Sequence, residues 1–543
     1  MKISVAQINT TIGDLQGNAK KMIEKISGAK HHGFDLIIFP ELALTGYPPE
    51  DFILLPHFME AVAFYLDQIA EASKEIAVIL GLPRYNPYRR EKGFLNSAAW
   101  IQNQKIMDFA DKILLPTYDV FDERRYFEPG LEPKVWDIHQ YRVGITICED
   151  IWQHSGLLES TLYKQDPLQQ LKEKHPTLVI NISASPYSLQ KFEKRMQICL
   201  HAAQFLECPV ILCNQVGGND SLLFDGNSLY VDSTGLKKRA KSFCEEEMTI
   251  DLSQEAPTIT VKRNQIEDLY QALVIGVRDY FHKLGFQKGC LGLSGGIDSS
   301  VAASIMAEAL GPDQVLGIAM PSRYSSPESI RDATLLANRL GIDLQEIPIE
   351  PIFDSYLSSL LPFFRGKETD VTEENLQSRI RGTILMAFAN KMGYIVVSTG
   401  NKSELALGYT TLYGDLCGGL ALLGDVTKQQ VYALADWINR NREIIPLYAI
   451  QRAPSAELRP NQKDSDSLPD YSIIDQIVAA YIEGHRSPQW IAKKYDYPLG
   501  LVNELIERIH NNEFKRRQAP PVLRVSEKSF SIGRRFPIVQ KWV

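Results

Sequence analysis

The sequence predicts an α/β protein with two domains, and three observations support this prediction. The chain has 543 residues, whereas a single hydrophobic core stops growing at roughly 250–300 residues. Apolar strands alternate with amphipathic helices in both halves, a pattern typical of sheets covered by helices. A charged and polar stretch at Glu245–Asn264 interrupts this alternation. We therefore expect one domain over residues 1–252, a linker over 253–264 and a second domain over 265–543.

In the first half, buried strands are predicted where short apolar runs end near a polar residue, proline or glycine. Amphipathic helices are predicted where apolar residues recur every three to four positions. The predicted strands are Lys2–Ile8, Asp35–Phe39, Ile76–Leu80, Arg142–Cys148, Thr177–Ile182, Pro209–Cys213 and Asn227–Val231, and the predicted helices are Asn18–His32 and Phe58–Ser73.

The second half begins a new series of strands and helices. Its first helix is predicted from Gln265 to about Leu284, and the strand Gly289–Leu293 leads through a glycine-rich loop into another helix. Val315–Met320 and Ile395–Ser398 are predicted as further strands. This order indicates a parallel sheet with helices on both faces. The segment that follows position 464 is predicted to be helical and then irregular and basic.

The composition excludes several classes of protein. A hydrophobic share of 44% and a charged share of 23% are typical of a soluble globular protein. The net charge of −8 argues against a generally basic nucleic-acid binder. We find no signal-peptide pattern and no apolar run of the roughly 20 residues that span a membrane. Seven cysteines without a CxxC pair favour a reduced, cytoplasmic enzyme.

Three residues with complementary chemistry stand at or just after predicted strands, where open α/β sheets place their active sites. Cys148 is a candidate nucleophile, Glu41 a candidate base, and Lys112 a candidate donor to the oxyanion that forms when a thiol attacks an amide. A nearby ammonium group would also favour the thiolate. Taken singly, a cysteine that ends an apolar strand is usually a core residue, but the three together predict a cysteine hydrolase.

Over about residues 1–252 the chain resembles the carbon–nitrogen hydrolase (nitrilase) family. The segments FPELALTGYPPEDF, KILLPTYDVFDERRYFEPG and ICEDIW carry the resemblance. It implies an αββα sandwich with a Glu41–Lys112–Cys148 triad. In the glutaminase members of that family, the residues that match Tyr118, Glu149 and Ser185 help to bind glutamine.

A second site is predicted at the loop Ser294-Gly295-Gly296-Ile297-Asp298-Ser299, which follows a buried strand and opens a helix. The glycines allow a tight turn, and the helix start offers free N–H groups to phosphate oxygens. Asp298 is a candidate ligand for Mg²⁺ on those phosphates. Since no Gly-Lys-Ser/Thr follows, this is not a Walker A loop.

This loop resembles the pyrophosphate loop of the ATP pyrophosphatases, which adenylate a substrate oxygen. Within that group, the segments STGNKSE, GYTTLYGD and DVTK resemble the NAD synthetases from about Gln265 onward. The resemblance implies that Glu404 joins Asp298 at Mg²⁺, and that Thr399 and Lys428 contact ATP. It also implies residues at or near the dinucleotide substrate, which are Arg379, Arg381, Asp415, Ser455 and Lys515.

Leu412 and the basic tail resemble the glutamine-dependent branch of that family. The expected reaction is the amidation of deamido-NAD⁺ to NAD⁺ with ATP and with ammonia from glutamine. We also expect a protected path for ammonia between the two sites, and a homo-oligomer built on a dimer.

Three alternatives remain: a nucleotide-binding scaffold with two inactive folds, an amidotransferase acting on another acid, and a nitrilase with a regulatory ATP domain. Complete residue sets at both sites disfavour the first alternative. The combination of Ser398–Glu404 with Gly408–Asp415 disfavours the other two.

Overall fold

A computed structural model of the chain describes residues 1–88, 91–157 and 163–542. The chain divides into two compact units, Met1–Asn264 and the part from Gln265 onward. Each unit is continuous in sequence. Among the residues that the structure describes, none of the helices combines the length and the apolar character needed to cross a membrane.

The first unit contains two sheets of six strands and a two-stranded hairpin. Its strands are β1 (Lys2–Gln7), β2 (Leu36–Ile38), β3 (Ala77–Tyr85), β4 (Phe94–Gln102), β5 (Lys105–Asp111), β6 (Lys134–Ile138), β7 (Tyr141–Ile147), β8 (Leu178–Ser183), β9 (Val210–Asn214), β10 (Val216–Asn219), β11 (Leu222–Asp225), β12 (Leu229–Asp232), β13 (Gly235–Arg239) and β14 (Glu246–Asp251). Its α-helices are α1 (Leu15–His31), α2 (Pro56–Ala72), α3 (Glu123–Tyr126), α4 (Pro167–Lys172) and α5 (Lys191–Leu206).

The two large sheets pack face to face. Their strand orders are β14-β1-β2-β3-β4-β5 and β13-β12-β9-β8-β7-β6. Ile3 and Ile38 of the first sheet share one buried cluster with Ile145 and Ile180 of the second. Helices α1 and α2 cover the outer face of the first sheet, and α4 and α5 cover that of the second. The unit is therefore an αββα sandwich, as the family resemblance implied.

The charged run at Glu245–Glu247, predicted to break the regular pattern, instead enters β14. This strand lies at the edge of its sheet and pairs with β1 antiparallel. Met248 and Ile250 are buried in the core, whereas Glu247 and Thr249 are exposed. An edge strand tolerates charge on its outward side. The irregular segment 253–264 lies against the same unit, where Ile259 N donates to Leu236 O over 2.8 Å.

The second unit is built around one sheet of five strands, all paired in parallel. Its strands are β15 (Gly289–Gly292), β16 (Val315–Ala319), β17 (Asp343–Glu346), β18 (Ile395–Ser398) and β19 (Leu420–Ala421). Its helices are α6 (Gln265–Lys283), α7 (Ile297–Leu310), α8 (Pro327–Leu340), α9 (Glu350–Leu360), α10 (Val371–Met392), α11 (Lys402–Leu407), α12 (Lys428–Asn439), α13 (Leu447–Gln451), α14 (Tyr471–Val478), α15 (Pro488–Tyr495), α16 (Leu499–Asn511) and α17 (Glu513–Arg516).

The strand order β17-β16-β15-β18-β19 places β15 at the centre. The chain leaves β15 toward β16 on one side and later returns to β18 on the other. Such a reversal opens a crevice at the carboxyl ends of the strands, where α/β proteins bind their ligands. The parallel sheet agrees with the sequence-based prediction for this half.

Candidate active sites

The three residues predicted for hydrolysis all lie buried at strand ends in the first unit. Lys112 directly follows β5 and Cys148 directly follows β7, while Glu41 stands three residues after β2. Their exposed fractions are 0% for Glu41, 1% for Lys112 and 5% for Cys148. Burying an ammonium group and a carboxylate is costly unless they are paired. Their joint burial therefore indicates a preorganised site.

Lys112 joins two carboxylates. Its Nζ donates to Glu41 Oε1 over 2.7 Å and to Glu123 Oε1 over 2.8 Å. Glu41 Oε1 also accepts from Asn96 Nδ2 over 2.8 Å, and its Oε2 accepts from the backbone N–H of Ala184 over 2.9 Å. These bonds hold the carboxylate of Glu41 in one orientation.

Glu123 is a member of this site that the sequence-based reasoning missed. It opens the short helix α3, and its Oε1 also accepts from the hydroxyl of Tyr47 over 2.9 Å. Burial raises the pKa of Glu123, while Lys112 opposes that shift. In the sequence Glu123 stands among charged neighbours from Asp122 to Arg125, a pattern more typical of an exposed turn. Only its tertiary contacts reveal its role.

The pKa of the Cys148 thiol is subject to opposing effects. Burial and the nearby Glu41 carboxylate raise it well above the ordinary value, while Lys112 acts in the opposite direction. The ammonium group therefore favours the thiolate, as expected, but burial has the larger effect. Cys148 also has a φ of +45° at the turn that leaves β7, a conformation that non-glycine residues rarely adopt.

Asp150 ties the Lys112 segment to the Cys148 segment. Its Oδ1 accepts from the N–H groups of Ile113 and Leu114 over 3.0 and 2.8 Å, and its Oδ2 accepts from that of Ile147 over 2.9 Å. Burial raises the pKa of Asp150 to about 7, and these backbone donors oppose the shift. The carboxyl group of Asp150 therefore has a structural role, because it holds the Lys112 segment to the Cys148 segment.

The candidate glutamine-binding residues belong to two hydrogen-bonded groups, each next to a triad residue. The hydroxyl of Tyr118 donates to Glu149 Oε1 over 2.8 Å, and Glu149 directly follows Cys148. Ser185 directly follows Ala184, whose N–H donates to Glu41, and Arg195 Nη2 donates to the carbonyl and hydroxyl oxygens of Ser185 over 3.3 and 3.4 Å. Arg195 is fully buried and pairs with Asp225 over 3.0 Å.

In the second unit a cavity of about 240 Å³ opens at the carboxyl ends of β15, β16 and β18. Its lining includes four predicted site residues, which are Ser294, Thr399, Arg381 and Asp415. Arg381 Nε donates to the backbone oxygen of Met320 over 3.0 Å. The structure thus brings residues predicted for ATP and residues predicted for the dinucleotide to the same cavity.

The predicted pyrophosphate loop is tightly packed. Gly295 has a φ of +77°, and a Cβ added there would lie 2.1 Å from the backbone oxygen of Ser329. The Ser294 and Ser299 hydroxyls lie 3.1 Å apart, and Ser294 Oγ accepts from the N–H of Gly296 over 3.3 Å. Glycine at 295 is therefore required by both backbone conformation and space.

Asp298 and Glu404 converge on one cation, the ammonium of Lys428. Lys428 Nζ lies 2.5 Å from Asp298 Oδ2 and 3.7 Å from Glu404 Oε1. Asn401 Nδ2 donates to the other oxygen of Asp298 over 2.9 Å. Burial and Asp298 raise the pKa of Glu404, and Lys428 opposes the shift. Burial alone would lower the pKa of Lys428. The two carboxylates raise this pKa by a larger amount, so Lys428 is charged.

This pair of carboxylates fits Mg²⁺, which prefers hard oxygen donors and usually takes one or two carboxylates together with phosphate oxygens and water. Among the described residues, no group of three or more His, Cys, Asp or Glu side chains is arranged to hold a metal ion. A metal at Asp298 and Glu404 would therefore depend on nucleotide phosphates for its remaining ligands.

The other three candidates for the dinucleotide are outside the described lining of this cavity. Arg379 Nε donates to Leu412 O over 3.2 Å, and Lys515 Nζ donates to Gly408 O and Thr410 O over 2.7 and 2.8 Å. The Ser455 hydroxyl donates to Gln462 O over 2.6 Å and so braces a turn.

The sequence-based reasoning missed Arg452. Its Nη1 donates to Ser329 Oγ over 2.5 Å and lies 3.3 Å from Glu457 Oε1, while its Nη2 donates to Gly295 O over 3.4 Å. Arg452 therefore links the pyrophosphate loop to the start of α8.

Two family models match the two halves of the chain. Residues 2–250 match the carbon-nitrogen hydrolase model, and residues 269–519 match the NAD synthase model. A glutamine-dependent NAD(+) synthetase from a Synechocystis strain is 45% identical, over 99% of this chain and 98% of its own length. The chain belongs to the glutamine-dependent NAD⁺ synthetase family.

Solved structures of glutamine-dependent NAD⁺ synthetases are similar over the whole length. The enzyme from Acinetobacter baumannii, solved in complex with ADP, is 36% identical with a TM-score of 0.77, and the match covers 100% of this chain and 99% of that one. The enzyme from Cytophaga hutchinsonii is 21% identical with a TM-score of 0.85, covering 99% of this chain and 98% of that one. The second comparison shows a shared fold.

Proposed function

We propose that this chain converts deamido-NAD⁺ to NAD⁺, consuming ATP and glutamine and releasing glutamate, AMP and pyrophosphate. The observation that carries the proposal is the presence on one chain of a complete Glu41–Lys112–Cys148 cluster and a glycine-rich loop beside Asp298. Membership of the glutamine-dependent NAD⁺ synthetase family supports it. An adenylated carboxylate requires an amine, and a glutaminase supplies ammonia.

In the glutaminase step, Cys148 Sγ attacks the side-chain amide carbon of glutamine while Glu41 takes the thiol proton. Transfer of this proton to Glu41 as the sulfur attacks is general-base activation of a nucleophile. The Lys112 ammonium stabilises the negative charge that develops in the site. Glu41 then returns a proton to the leaving ammonia, and water hydrolyses the thioester to glutamate. We propose that Tyr118, Glu149 and Ser185 position the substrate.

In the amidation step, the ATP phosphates lie on the loop from Ser294 to Ser299, with Thr399 and Lys428 in contact with the nucleotide. The nicotinate carboxylate attacks the α-phosphate and pyrophosphate leaves, after which ammonia displaces AMP. Mg²⁺ held by Asp298 and Glu404 would neutralise phosphate charge. We propose that the dinucleotide is bound by Arg379, Arg381, Asp415, Ser455 and Lys515.

The remaining proposals concern the domain boundaries, the oligomeric state and the cellular compartment. We assign residues 1–252 to the glutaminase domain and residues 265–543 to the synthetase domain, with 253–264 as the linker. We further propose a cytoplasmic homo-oligomer built on a dimer. Seven free cysteines fit a reducing compartment.

The deciding experiment measures NAD⁺ formation from deamido-NAD⁺, ATP and Mg²⁺, with glutamine or with ammonium as the nitrogen source. We expect the wild type to use both sources and Cys148→Ala to use only ammonium. Cys244→Ala, a change at a half-buried cysteine in the same unit, is the matched control and should retain both activities. ATP cleavage without NAD⁺ from either source would mean that the acid substrate is a different one.

The same assay tests direct transfer of ammonia between the two sites, which we also propose. With glutamine as the source, glutamate and NAD⁺ should form in equal amounts, and little ammonia should appear in solution. Free ammonia that accumulates in step with glutamate would contradict direct transfer and leave the reaction itself intact.

A further inference from the structure

Lys402 is a buried charged residue with no role in either proposed catalytic cluster. Its side chain is 1% exposed, and it is the first residue of α11. It directly follows Asn401, which contacts Asp298, and stands two residues before Glu404 on the same helix. Burying an ammonium group is costly unless it is fully paired, so its partners identify what it holds in place.

Lys402 Nζ has four oxygen neighbours. It lies 3.0 Å from Asp425 Oδ1 and 2.7 Å from Glu483 Oε1, and it donates to Ser526 Oγ over 2.8 Å and to Lys528 O over 3.1 Å. Burial lowers the pKa of Lys402, but the two carboxylates raise it above the ordinary value, so the group is charged.

Two of these partners lie on an irregular segment late in the chain, residues 521–528, which we call the C-terminal strap. The strap is anchored by Asp425, whose Oδ2 accepts from the N–H groups of Val525 and Ser526 over 2.8 and 2.7 Å. Val525 is fully buried. Lys402 and the strap therefore meet at one buried carboxylate, three residues before Lys428.

The same region sets the start of α12 relative to α11. The N–H of Lys402 donates to Val426 O over 2.9 Å, and the N–H of Lys428 donates to Ser403 Oγ over 2.9 Å. The two helix starts that carry Glu404 and Lys428 are thus joined directly to each other.

The carboxyl end of α11 is also held by residues late in the chain. Arg516 Nη1 donates to Leu405 O and Ala406 O over 3.0 and 2.8 Å, and Asn512 Nδ2 donates to Leu407 O over 3.1 Å. A helix of six residues is too short to be stable on its own. Its position, and with it that of Glu404, depends on these tertiary contacts.

We propose that Lys402 is a positioning residue for the ATP-dependent half-reaction. Its ammonium group contacts both Asp425 and Ser526 of the strap. These contacts fix the starts of α11 and α12, which place Glu404 and Lys428 around Asp298. The proposal rests on the proposed function, because it takes Asp298 and Glu404 as the ligands of Mg²⁺.

The test compares Lys402→Met with Glu404→Gln in the full-length protein. Two quantities are measured: the Mg²⁺ concentration that gives half-maximal ammonium-dependent NAD⁺ formation, and the rise in Tm that Mg²⁺ with ATP produces. Lys402→Met should raise the half-maximal Mg²⁺ concentration by about 10-fold or more, as is usual when a residue supporting a metal ligand is lost. It should also reduce the ligand-induced rise in Tm. Arg339→Met, which removes an ion pair with Glu443 in the same unit, is the matched control and should leave both quantities near the wild-type values.

Ser526→Ala keeps the proposal testable if Lys402→Met fails to fold. It removes the strap hydroxyl, which contacts both Lys402 Nζ and Asp425, so it should shift the Mg²⁺ requirement in the same direction by a smaller factor. Where both fold, the effects of the two substitutions should be less than additive, because the two residues share a contact and the partner Asp425.

The outcomes separate this inference from the proposed function. If Glu404→Gln raises the Mg²⁺ requirement while the Lys402 and Ser526 variants lower only the Tm of the unliganded protein, Lys402 is merely structural and the inference is wrong. If the wild type forms no NAD⁺, the proposed function itself fails.

Discussion

Lys112 and Glu123 form a buried ion pair with 2.8 Å between Nζ and Oε1, and the same ammonium contacts Glu41. Glu41, the base of the proposed glutaminase, therefore shares Lys112 with a second carboxylate. Two of the three N–H bonds of the ammonium group are directed at these carboxylates. Glu123 therefore helps to fix the direction of the third.

Glu123→Gln should lower glutamine-dependent NAD⁺ formation by about 100-fold and leave ammonium-dependent formation unchanged. The amide has no charge to hold Lys112, and removing one partner of a buried pair costs about 3–5 kcal/mol. Steady-state rates with each nitrogen source provide the measurement. Glu132→Gln, at an exposed pair with Lys174, is the control. Equal losses with both sources would point to misfolding instead.

Arg195→Met should destabilise the first unit and raise the KM for glutamine. The change leaves Asp225 buried without its partner at a cost of about 3–5 kcal/mol, and it frees the Ser185 hydroxyl. Thermal unfolding and glutamine titrations test the two effects. Arg142→Met, which loses only contacts to the exposed carbonyls of Lys174 and His175, should change the Tm much less. An unchanged KM for glutamine would show that Ser185 does not bind the substrate.

Gly295→Ala should abolish ATP-dependent synthesis, because the new Cβ would meet Ser329 O at 2.1 Å and the φ is +77°. Gly393→Ala is a matched control with a φ of +72° and no atom within 4 Å of the added Cβ. It carries the backbone strain of about 1–2 kcal/mol without the steric clash. Binding of ATP, measured by calorimetry, should be lost only in the first variant. Similar ATP affinities would mean that the loop can shift to accommodate the methyl group.

Asp415→Asn should make stability less dependent on pH. Burial raises the pKa of Asp415 to about 7 in the folded protein, whereas the ordinary value is about 3.9. The folded state therefore holds this proton more tightly, so the contribution of Asp415 to stability is fully present below about pH 4 and is lost as the pH rises to about 7. The slope is at most about 1.4 kcal/mol per pH unit.

The measurement for Asp415 is the Tm of the wild type and the variant at several pH values between 5 and 8. The variant should gain relative to the wild type as the pH rises to about 7, and the difference should then level off. Asp436→Asn, at an exposed position on α12, is the control. A difference in Tm that stays constant over this range would contradict the shifted pKa.

Sequence alone predicted the elements whose patterns are set by burial. Strands β2 and β18 are short, mainly apolar runs, as expected for strands covered on both faces. Strands β4 and β5 were missed because polar residues interrupt them, and β14 because its charges face outward at a sheet edge. Pairing with distant strands supplies what their local sequence lacks.

The site residues divide in the same way, into those that the local sequence predicts and those that depend on tertiary contacts. Glu41, Lys112, Cys148 and the loop at Ser294 could be predicted because each stands at or just after a recognisable strand. The roles of Glu123, Asp150, Arg195 and Lys402 could not be predicted, because their partners lie in other segments of the chain, even though three of them stand inside segments that carry the family resemblance. Such residues carry little local signal and acquire their roles only through tertiary contacts.

The order in which the ribosome makes these segments has a consequence for the cell. Every strand of the hydrolase unit, β14 included, precedes the strands of the second unit in the chain, and domains generally fold as they emerge. The strap that holds Lys402 and Asp425 follows all the described strands of both units. Translation that stops before the strap, or proteolytic removal of it, would leave a protein able to break down glutamine with no activated acid to receive the nitrogen.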